Sequence, residues 1–116
     1  MIRRNNDKIT ETFARKFDGD GSITVRSILN NPQEMSEKAR VFAHTTLNPG
    51  CSIGYHVHNG ESETYYIISG SGEFNDNGTV VPIYTGDVTH TPSGEGHGLK
   101  NTGSVPLEII ALILYS

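Results

Sequence analysis

Three residues close together in the sequence have side chains that bind divalent metal ions. His56 and His58 are one residue apart, and Glu63 follows after the short loop NGES. Alternate residues of a strand point to the same side, so the two imidazoles face one side, with Ser52 and Gly54 behind them. If the strand that begins at Glu63 returns as a hairpin, its carboxylate reaches the same pocket. Two imidazoles and a carboxylate are the ligand type of non-haem iron and similar divalent-metal sites.

A second stretch, GDVTHTPSGEGHGLKN at residues 86–101, offers a further donor. Gly86 turns the chain into a strand, and Pro92 and Gly94 then bend it. His97 follows this bend and enters the next strand. Its imidazole is the fourth candidate ligand.

The elements that must position these residues are short and rich in β-formers. From Arg40 onward, runs such as RVFAHTTL, SIGYHVH and ETYYIIS alternate with Gly, Pro and Asn. NDNG at residues 75–78 predicts a hairpin turn, because Asn and Gly tolerate positive φ. Six or more short strands without a long helical pattern predict an all-β sandwich or barrel.

The first part of the chain has a different sequence pattern. Residues 1–21 are polar and form an arm that could be partly helical, with Ile9, Phe13 and Phe17 spaced four apart as a short apolar stripe. The alternating segment SITVRSIL at residues 22–29 predicts a strand.

The segment NNPQEMSEKA after this strand supports one or two helical turns at most. Asn31 is placed to cap such a turn, and Pro32 is at its first helical position. We therefore divide the chain into residues 1–38, with the arm, a strand and a helical turn, and a barrel over residues 39–116. Together they form one domain.

Composition and charge exclude several classes of function. The chain has 116 residues and a net charge of −4, which suits one ordinary globular domain. Residues 41–116 contain Lys100 as their one Lys or Arg against seven acids, which argues against a nucleic-acid groove. Cys51 is the one cysteine, so no internal disulfide can form; we expect a small buried thiol there. No apolar segment follows the basic start, so we expect a cytoplasmic protein without membrane association.

The spacing of the candidate ligands matches two known motifs. The first is Gly-x5-His-x-His-x4-Glu-x6-Gly, formed by Gly50, His56, His58, Glu63 and Gly70. The second is Gly-x5-Pro-x-Gly-x2-His-x3-Asn, formed by Gly86, Pro92, Gly94, His97 and Asn101. With both motifs intact, the chain resembles the cupin superfamily, and in particular its small single-domain bacterial members.

This resemblance implies an all-β fold, the double-stranded β-helix or jelly-roll barrel, behind a short N-terminal arm. It also implies a metal ion held by His56, His58, Glu63 and His97, none of which is substituted here; the alternative is a hydrogen-bonded polar core. Three neutral imidazoles and one carboxylate give a divalent ion a net local charge of +1, which attracts anionic or chelating oxygen ligands. The lack of a thiolate argues against a closed structural zinc site.

Four protein ligands leave two positions on a six-coordinate ion for substrate, O2 or water. Mn²⁺ or Fe²⁺ suits that arrangement best, and Zn²⁺, Ni²⁺, Co²⁺ or Cu²⁺ are the alternatives, because the general affinity order favours several of them.

Other titratable residues are weaker candidates, and no catalytic residue is assigned. We expect ordinary exposed or hydrogen-bonded roles for His44 and His90, with acid/base chemistry as the alternative. Tyr65 shares a face with Glu63 and either lines the pocket or packs in the core.

Four charged residues leave similar alternatives open. Glu61 and Glu95 are loop acids beside the ligands, expected to be solvated but able to act as a general base. Arg26 and Arg40 are expected at the surface; an inward-pointing arginine would pair with a substrate carboxylate.

Two classes of function fit this site. The first is a metalloenzyme, of the oxygenase, decarboxylase or sugar isomerase type, acting on a small oxygen-rich or carboxylate-bearing molecule. The alternative is a non-catalytic module that binds a small ligand through its metal. Inward-facing acid/base groups beyond the four ligands would favour the enzyme, and an apolar lining would favour binding.

We also expect a homodimer, as is common among small cupins resembling this chain. The apolar block EIIALILY predicts a strand covered on both faces, by the second sheet or by a partner subunit. The arm at residues 1–21 could reach across to that partner.

Overall fold

The protein is built from ten β-strands, with two short 3-10 segments in its N-terminal arm. The structure is a computed structural model and describes all 116 residues. The strands are β1 (Thr10–Ala14), β2 (Ser22–Leu29), β3 (Ala39–Leu47), β4 (Ser52–Val57), β5 (Glu61–Ser69), β6 (Ser71–Asp76), β7 (Thr79–Tyr84), β8 (Val88–Thr91), β9 (Gly96–Lys100) and β10 (Leu107–Tyr115).

The strands form two antiparallel sheets that enclose the core. The larger sheet has the order β1-β2-β3-β10-β5-β8, and the smaller has the order β4-β9-β6-β7. Both contribute to one apolar cluster, whose fully buried members include Leu47, Ile67, Leu99, Leu107 and Ile109. The predicted all-β jelly roll is therefore confirmed. None of the helical segments has the length and apolar composition needed to cross a bilayer.

The arm contains a strand where the sequence suggested a partial helix. β1 pairs antiparallel with β2, with Thr10 opposite Arg26. Phe13 packs against the core, whereas Ile9 and Phe17 are 46% and 49% exposed. The expected helical stripe is therefore wrong, because the free edge of β2 offers the arm backbone hydrogen bonds that an isolated helical turn cannot match.

Turns replace the helical turn that was expected after β2. Asn31 does act as a cap, since its Oδ1 accepts a hydrogen bond from the backbone N–H of Glu34 at 2.9 Å. Ser36 and Glu37 then adopt positive φ angles of 55° and 57°, which end any right-handed helix.

The hairpin predicted at NDNG is present between β6 and β7. Asn77 and Gly78 are its two central residues, with φ angles of 49° and 102°. Positive φ at both positions is what a two-residue turn between twisted strands requires.

Candidate metal centre

The four candidate ligands meet inside the barrel, where the two sheets face each other. His56 lies on β4 directly opposite His97 on β9, and His58 follows the end of β4. Glu63 reaches the same point from β5 in the other sheet. Their ligand atoms all lie within 4.8 Å of one another, and all four residues except the half-buried His56 are buried. This group could hold a metal ion.

A bulge in β4 is needed to aim both histidines inward. The register with β9 shifts between Ile53 and His56. Ile53 therefore lies in the core together with the histidines, three residues away rather than two. The expectation that Ser52 and Gly54 share the histidine face is wrong. Ser52 instead accepts a hydrogen bond from the backbone of Asp20 in the arm, at 2.7 Å.

The ligand atoms are closely spaced. His97 Nε2 lies 3.0 Å from His58 Nε2 and 3.2 Å from His56 Nε2. Glu63 Oε1 lies 3.0 Å from His58 Nε2 and 2.9 Å from His97 Nε2. Neighbouring ligand atoms around a divalent ion with bonds of about 2.1 Å are about 3 Å apart, so these separations fit a common ion.

The second ring nitrogens assign two of the tautomers. His56 Nδ1 lies 2.8 Å from the carbonyl oxygen of Gly54, and His58 Nδ1 lies 3.0 Å from a carboxylate oxygen of Glu61. Because these oxygens only accept hydrogen bonds, each Nδ1 carries the proton and each Nε2 presents a lone pair.

Several hydrogen-bond acceptors point to the same place in this site, which is the arrangement that a metal ion requires. Three acceptors surround His97 Nε2: the Nε2 lone pairs of His56 and His58, at 3.2 and 3.0 Å, and a carboxylate oxygen of Glu63 at 2.9 Å. A hydrogen atom on His97 Nε2 can satisfy only one of these acceptors, whereas a cation at their centre attracts all of them. The last ligand, His97, is oriented by the Thr91 hydroxyl, which lies 3.0 Å from its Nδ1.

Burial also prepares the site for a cation. Burial lowers the pKa of His56, and the neighbouring His97 and His58 lower it further, which keeps the imidazole neutral and able to coordinate. Tyr65 is 2% exposed, and its ring stacks on His97 with centroids 5.0 Å apart. Burial raises the pKa of Tyr65 well above its usual value, and the adjacent charge of Glu63 adds to the effect.

Glu61 contacts the far side of the His58 imidazole and is not itself one of the four candidate ligands. Its carboxylate accepts two hydrogen bonds from Arg40, at 3.0 and 2.7 Å, and also contacts His58 Nδ1. The hydrogen bonds from Arg40 lower the pKa of Glu61 to about 2. A carboxylate held in this way orients its imidazole and is a poor base.

A cavity of about 280 Å³ opens in front of the ligands. Tyr65 lines this cavity, which is one of the two alternatives predicted for that residue. Its wall also includes Phe13, Lys16 and Phe17 from the arm. Nothing in the sequence pattern places these arm residues at the pocket; the one signal is the spacing of Phe13 and Phe17, which instead suggests a helical stripe. The arm therefore packs on its own barrel.

The other candidates lie outside the cavity. His44 lies on the outer side of β3, with Nε2 2.5 Å from Glu108, and the exposed His90 lies 2.9 Å from the Thr64 hydroxyl. Arg26 donates a hydrogen bond to Thr46 on the same outer side.

Glu95 contributes its backbone carbonyl, which accepts a hydrogen bond from the His58 N–H at 3.1 Å. Cys51 is half-buried and packs against the core.

Comparisons with known proteins agree with this architecture. The family model described as cupin domain matches residues 43–113. An oxalate-binding protein of Thermotoga maritima is 43% identical over 114 residues, which cover 98% of this chain and 93% of that protein. The crystal structure of a predicted oxalate decarboxylase from the same organism superposes with a TM-score of 0.94 at 42% identity, and all of both chains is covered.

More distant structures share the fold. The cupin domain of a transcriptional regulator from Enterobacter cloacae superposes with a TM-score of 0.69 at 21% identity, over 81% of this chain and 97% of that one. With the barrel, the ligand geometry and the family match in agreement, the chain belongs to the cupin domain family.

Proposed function

We propose that the protein binds oxalate or a similarly small dicarboxylate at a divalent metal ion held by His56, His58, Glu63 and His97. The observation that carries this proposal is the convergence of these lone-pair donors on one point at the end of the cavity. The oxalate-binding protein and the predicted oxalate decarboxylase, both more than 40% identical, support oxalate as the first ligand to test.

The chain's own residues provide the rest of the binding site. A bound divalent ion supplies the positive charge that attracts carboxylate oxygens. Ala43, Ile109 and Ala111 form part of an apolar wall around it, which limits the water available to compete. Thr91 and Glu61 hold two of the imidazoles in the orientation that coordination needs.

For the ion itself we propose Mn²⁺ or Fe²⁺, because three imidazoles and one carboxylate suit their coordination preferences. Zn²⁺, Ni²⁺, Co²⁺ and Cu²⁺ compete for the same donors. Elemental analysis of natively expressed protein distinguishes them.

Catalysis is the second candidate function. The observation favouring it is the 42% identity to a predicted oxalate decarboxylase over the full length of both chains. Two observations argue against catalysis. The Glu61 carboxylate is already hydrogen-bonded to Arg40 and His58, and Tyr65 is buried with a raised pKa, so neither Glu61 nor Tyr65 is a ready acid or base. Binding without turnover is therefore the primary proposal.

Titration calorimetry tests both candidates. Oxalate is titrated into Mn²⁺-loaded protein and into the same protein after chelation and dialysis. We expect saturable one-to-one binding to the loaded protein and none to the metal-free protein; equal binding to both would refute a metal-dependent site. Incubation of the loaded protein with oxalate, followed by assays for formate and CO2, then tests decarboxylation.

We also propose that two copies of the chain associate through the outer side of the larger sheet. Ile110 and Leu112 on β10 face outward and are only half-buried in one chain. Beside them, Tyr66, Ile68 and Val88 are 49%, 39% and 64% exposed. A contiguous apolar area of this kind favours a partner. We call these five residues the outer apolar patch.

A further inference from the structure

A strained turn in the arm brings two side chains to the cavity. Arg15, Phe17 and Asp18 have φ angles of 52°, 53° and 61°, which are uncommon for residues other than glycine. Such conformations persist where the surrounding structure holds them. Here Gly19 and Gly54 allow the arm and β4 backbones into direct contact, because a Cβ at either position would collide with the opposite backbone.

The turn places Lys16 in an unusual environment. Its ammonium lies 4.5 Å from the centre of the Phe13 ring and 5.2 Å from the centre of the Phe17 ring. The Phe17 ring in turn stacks on His56, so one phenyl ring is the common neighbour of the ammonium and a candidate metal ligand. Lys16 is half-buried and lines the cavity.

The charges around the cavity single out this ammonium. Its charged lining residues are Glu11, Lys16, Arg40 and Glu63. Arg40 is neutralised by its two hydrogen bonds to Glu61, and Glu63 belongs to the ligand group. Glu11 is exposed at the rim. Lys16 forms no ion pair with any carboxylate, so it is the one cation of the wall free to bind an anion.

We propose that Lys16 recognises the second carboxylate of a dicarboxylate whose first carboxylate lies at the metal centre. This inference rests on the proposed function and specifies it. The aromatic rings remove part of the hydration of the ammonium, which strengthens its attraction for a carboxylate over that of an exposed lysine. Lys16 thereby selects dicarboxylates over monocarboxylates, which meet only the metal centre.

The test compares ligands and variants in Mn²⁺-loaded protein. Dissociation constants for oxalate, malonate, succinate and acetate are measured by calorimetry for wild type, Lys16→Met and Lys16→Arg. Lys38→Met is the matched control, because Lys38 is exposed and does not line the cavity. Circular dichroism and metal content establish that each variant is folded and loaded.

We expect Lys16→Met to weaken binding of the best dicarboxylate by about 10- to 100-fold, the size of one charge-assisted hydrogen bond, and to leave acetate unchanged. Lys16→Arg retains most of the preference, and Lys38→Met binds as wild type does. Equal weakening of acetate and dicarboxylates, or no weakening, overturns the role of Lys16 while the metal-dependent binding stands. A wild type that binds no carboxylate overturns the proposed function, and this inference with it.

Discussion

The phenyl ring of Phe17 lies flat against the imidazole of His56, with ring centroids 3.7 Å apart and planes 13° from parallel. Phe17 is 49% exposed and therefore does not fill the core. Its ring instead covers His56, the least buried of the four candidate ligands. The stack connects the arm to the candidate metal centre. A ligand ring held on one side by a phenyl ring has less freedom to rotate away from a bound ion.

Removal of this ring should loosen the site without abolishing it. In Phe17→Ala all four ligands remain, so we expect the protein to bind metal, to melt a few degrees lower, and to release the metal faster to a chelator. Loss of a stacked pair costs about 0.5–1.5 kcal/mol beyond the lost burial. Stopped-flow chelation with a colorimetric chelator measures the release rate.

Tyr84→Ala is the control for this variant, because Tyr84 is 59% exposed on β7 and does not line the cavity. Release rates that are the same in Phe17→Ala and wild type would show that the stack does not restrain His56.

Replacement of a ligand should remove the metal. His97 is 0% exposed, and its Nε2 lies within 3.2 Å of two other ligand nitrogens. His97→Ala therefore leaves a site with only three ligands. We expect sub-stoichiometric metal by elemental analysis and a melting temperature that no longer responds to chelator. In His90→Ala, which loses an exposed imidazole bonded only to Thr64, metal content should stay at the wild-type level. A fully loaded His97→Ala protein would contradict the four-ligand assignment.

The carboxylate behind His58 should tune metal affinity. Glu61→Ala removes the acceptor that lies 3.0 Å from His58 Nδ1. Loss of such a partner typically costs about 10- to 100-fold in metal affinity. We expect a weakening in this range by competition with a fluorescent chelator, and partial recovery in Glu61→Gln, whose amide oxygen still accepts the hydrogen bond. Glu95→Ala is the control, since Glu95 contacts His58 only through its backbone carbonyl. An affinity in Glu61→Ala equal to that of this control would remove Glu61 from the site.

The sequence predicts the four candidate ligands in two steps. Strand alternation and hairpin pairing act over a few residues and bring His56, His58 and Glu63 together, whereas His97 is assigned through the second motif of the cupin resemblance. Phe17 and Lys16 could not be placed in this way. Their position depends on backbone contact between Gly19 in the arm and Gly54 in β4, which lie far apart in sequence, so no local pattern predicts that they meet. The bulge in β4 could not be predicted from the sequence either, because a one-residue insertion in a strand leaves the hydrophobic pattern almost unchanged.

The outer apolar patch predicts how the dimer can be broken. Leu112→Lys places a charge within the patch on the central strand β10, where it would have to be desolvated on association. We expect a folded monomer by light scattering coupled to size exclusion, against a wild-type dimer. Val80→Lys is the matched control, because Val80 is 58% exposed on the smaller sheet. A monomeric wild type would refute the proposed dimer, and a dimeric Leu112→Lys would place its interface elsewhere.

An ion pair far from the metal centre predicts a pH dependence of stability. Arg3 donates two hydrogen bonds to the carboxylate of Glu34, at 3.2 and 2.8 Å, and a third to the carbonyl of Ile28 at 2.9 Å. The hydrogen bonds from Arg3, and one from the backbone of Asn30, lower the pKa of Glu34 below its usual value of 4.5. A carboxylate with a lowered pKa in the folded state stabilises the protein above the unfolded-state pKa. That contribution is lost as the pH falls through the folded-state pKa.

Arg3→Met should therefore lower the free energy of unfolding at pH 7, and its difference from wild type should shrink as the pH falls below about 4.5. Urea denaturation of metal-free protein at a series of pH values measures this. Arg4→Met serves as control, because Arg4 is exposed and forms no ion pair. A difference between Arg3→Met and wild type that stays constant down to pH 2 would mean that Arg3 acts through its contact with Ile28 and not through the charge of Glu34.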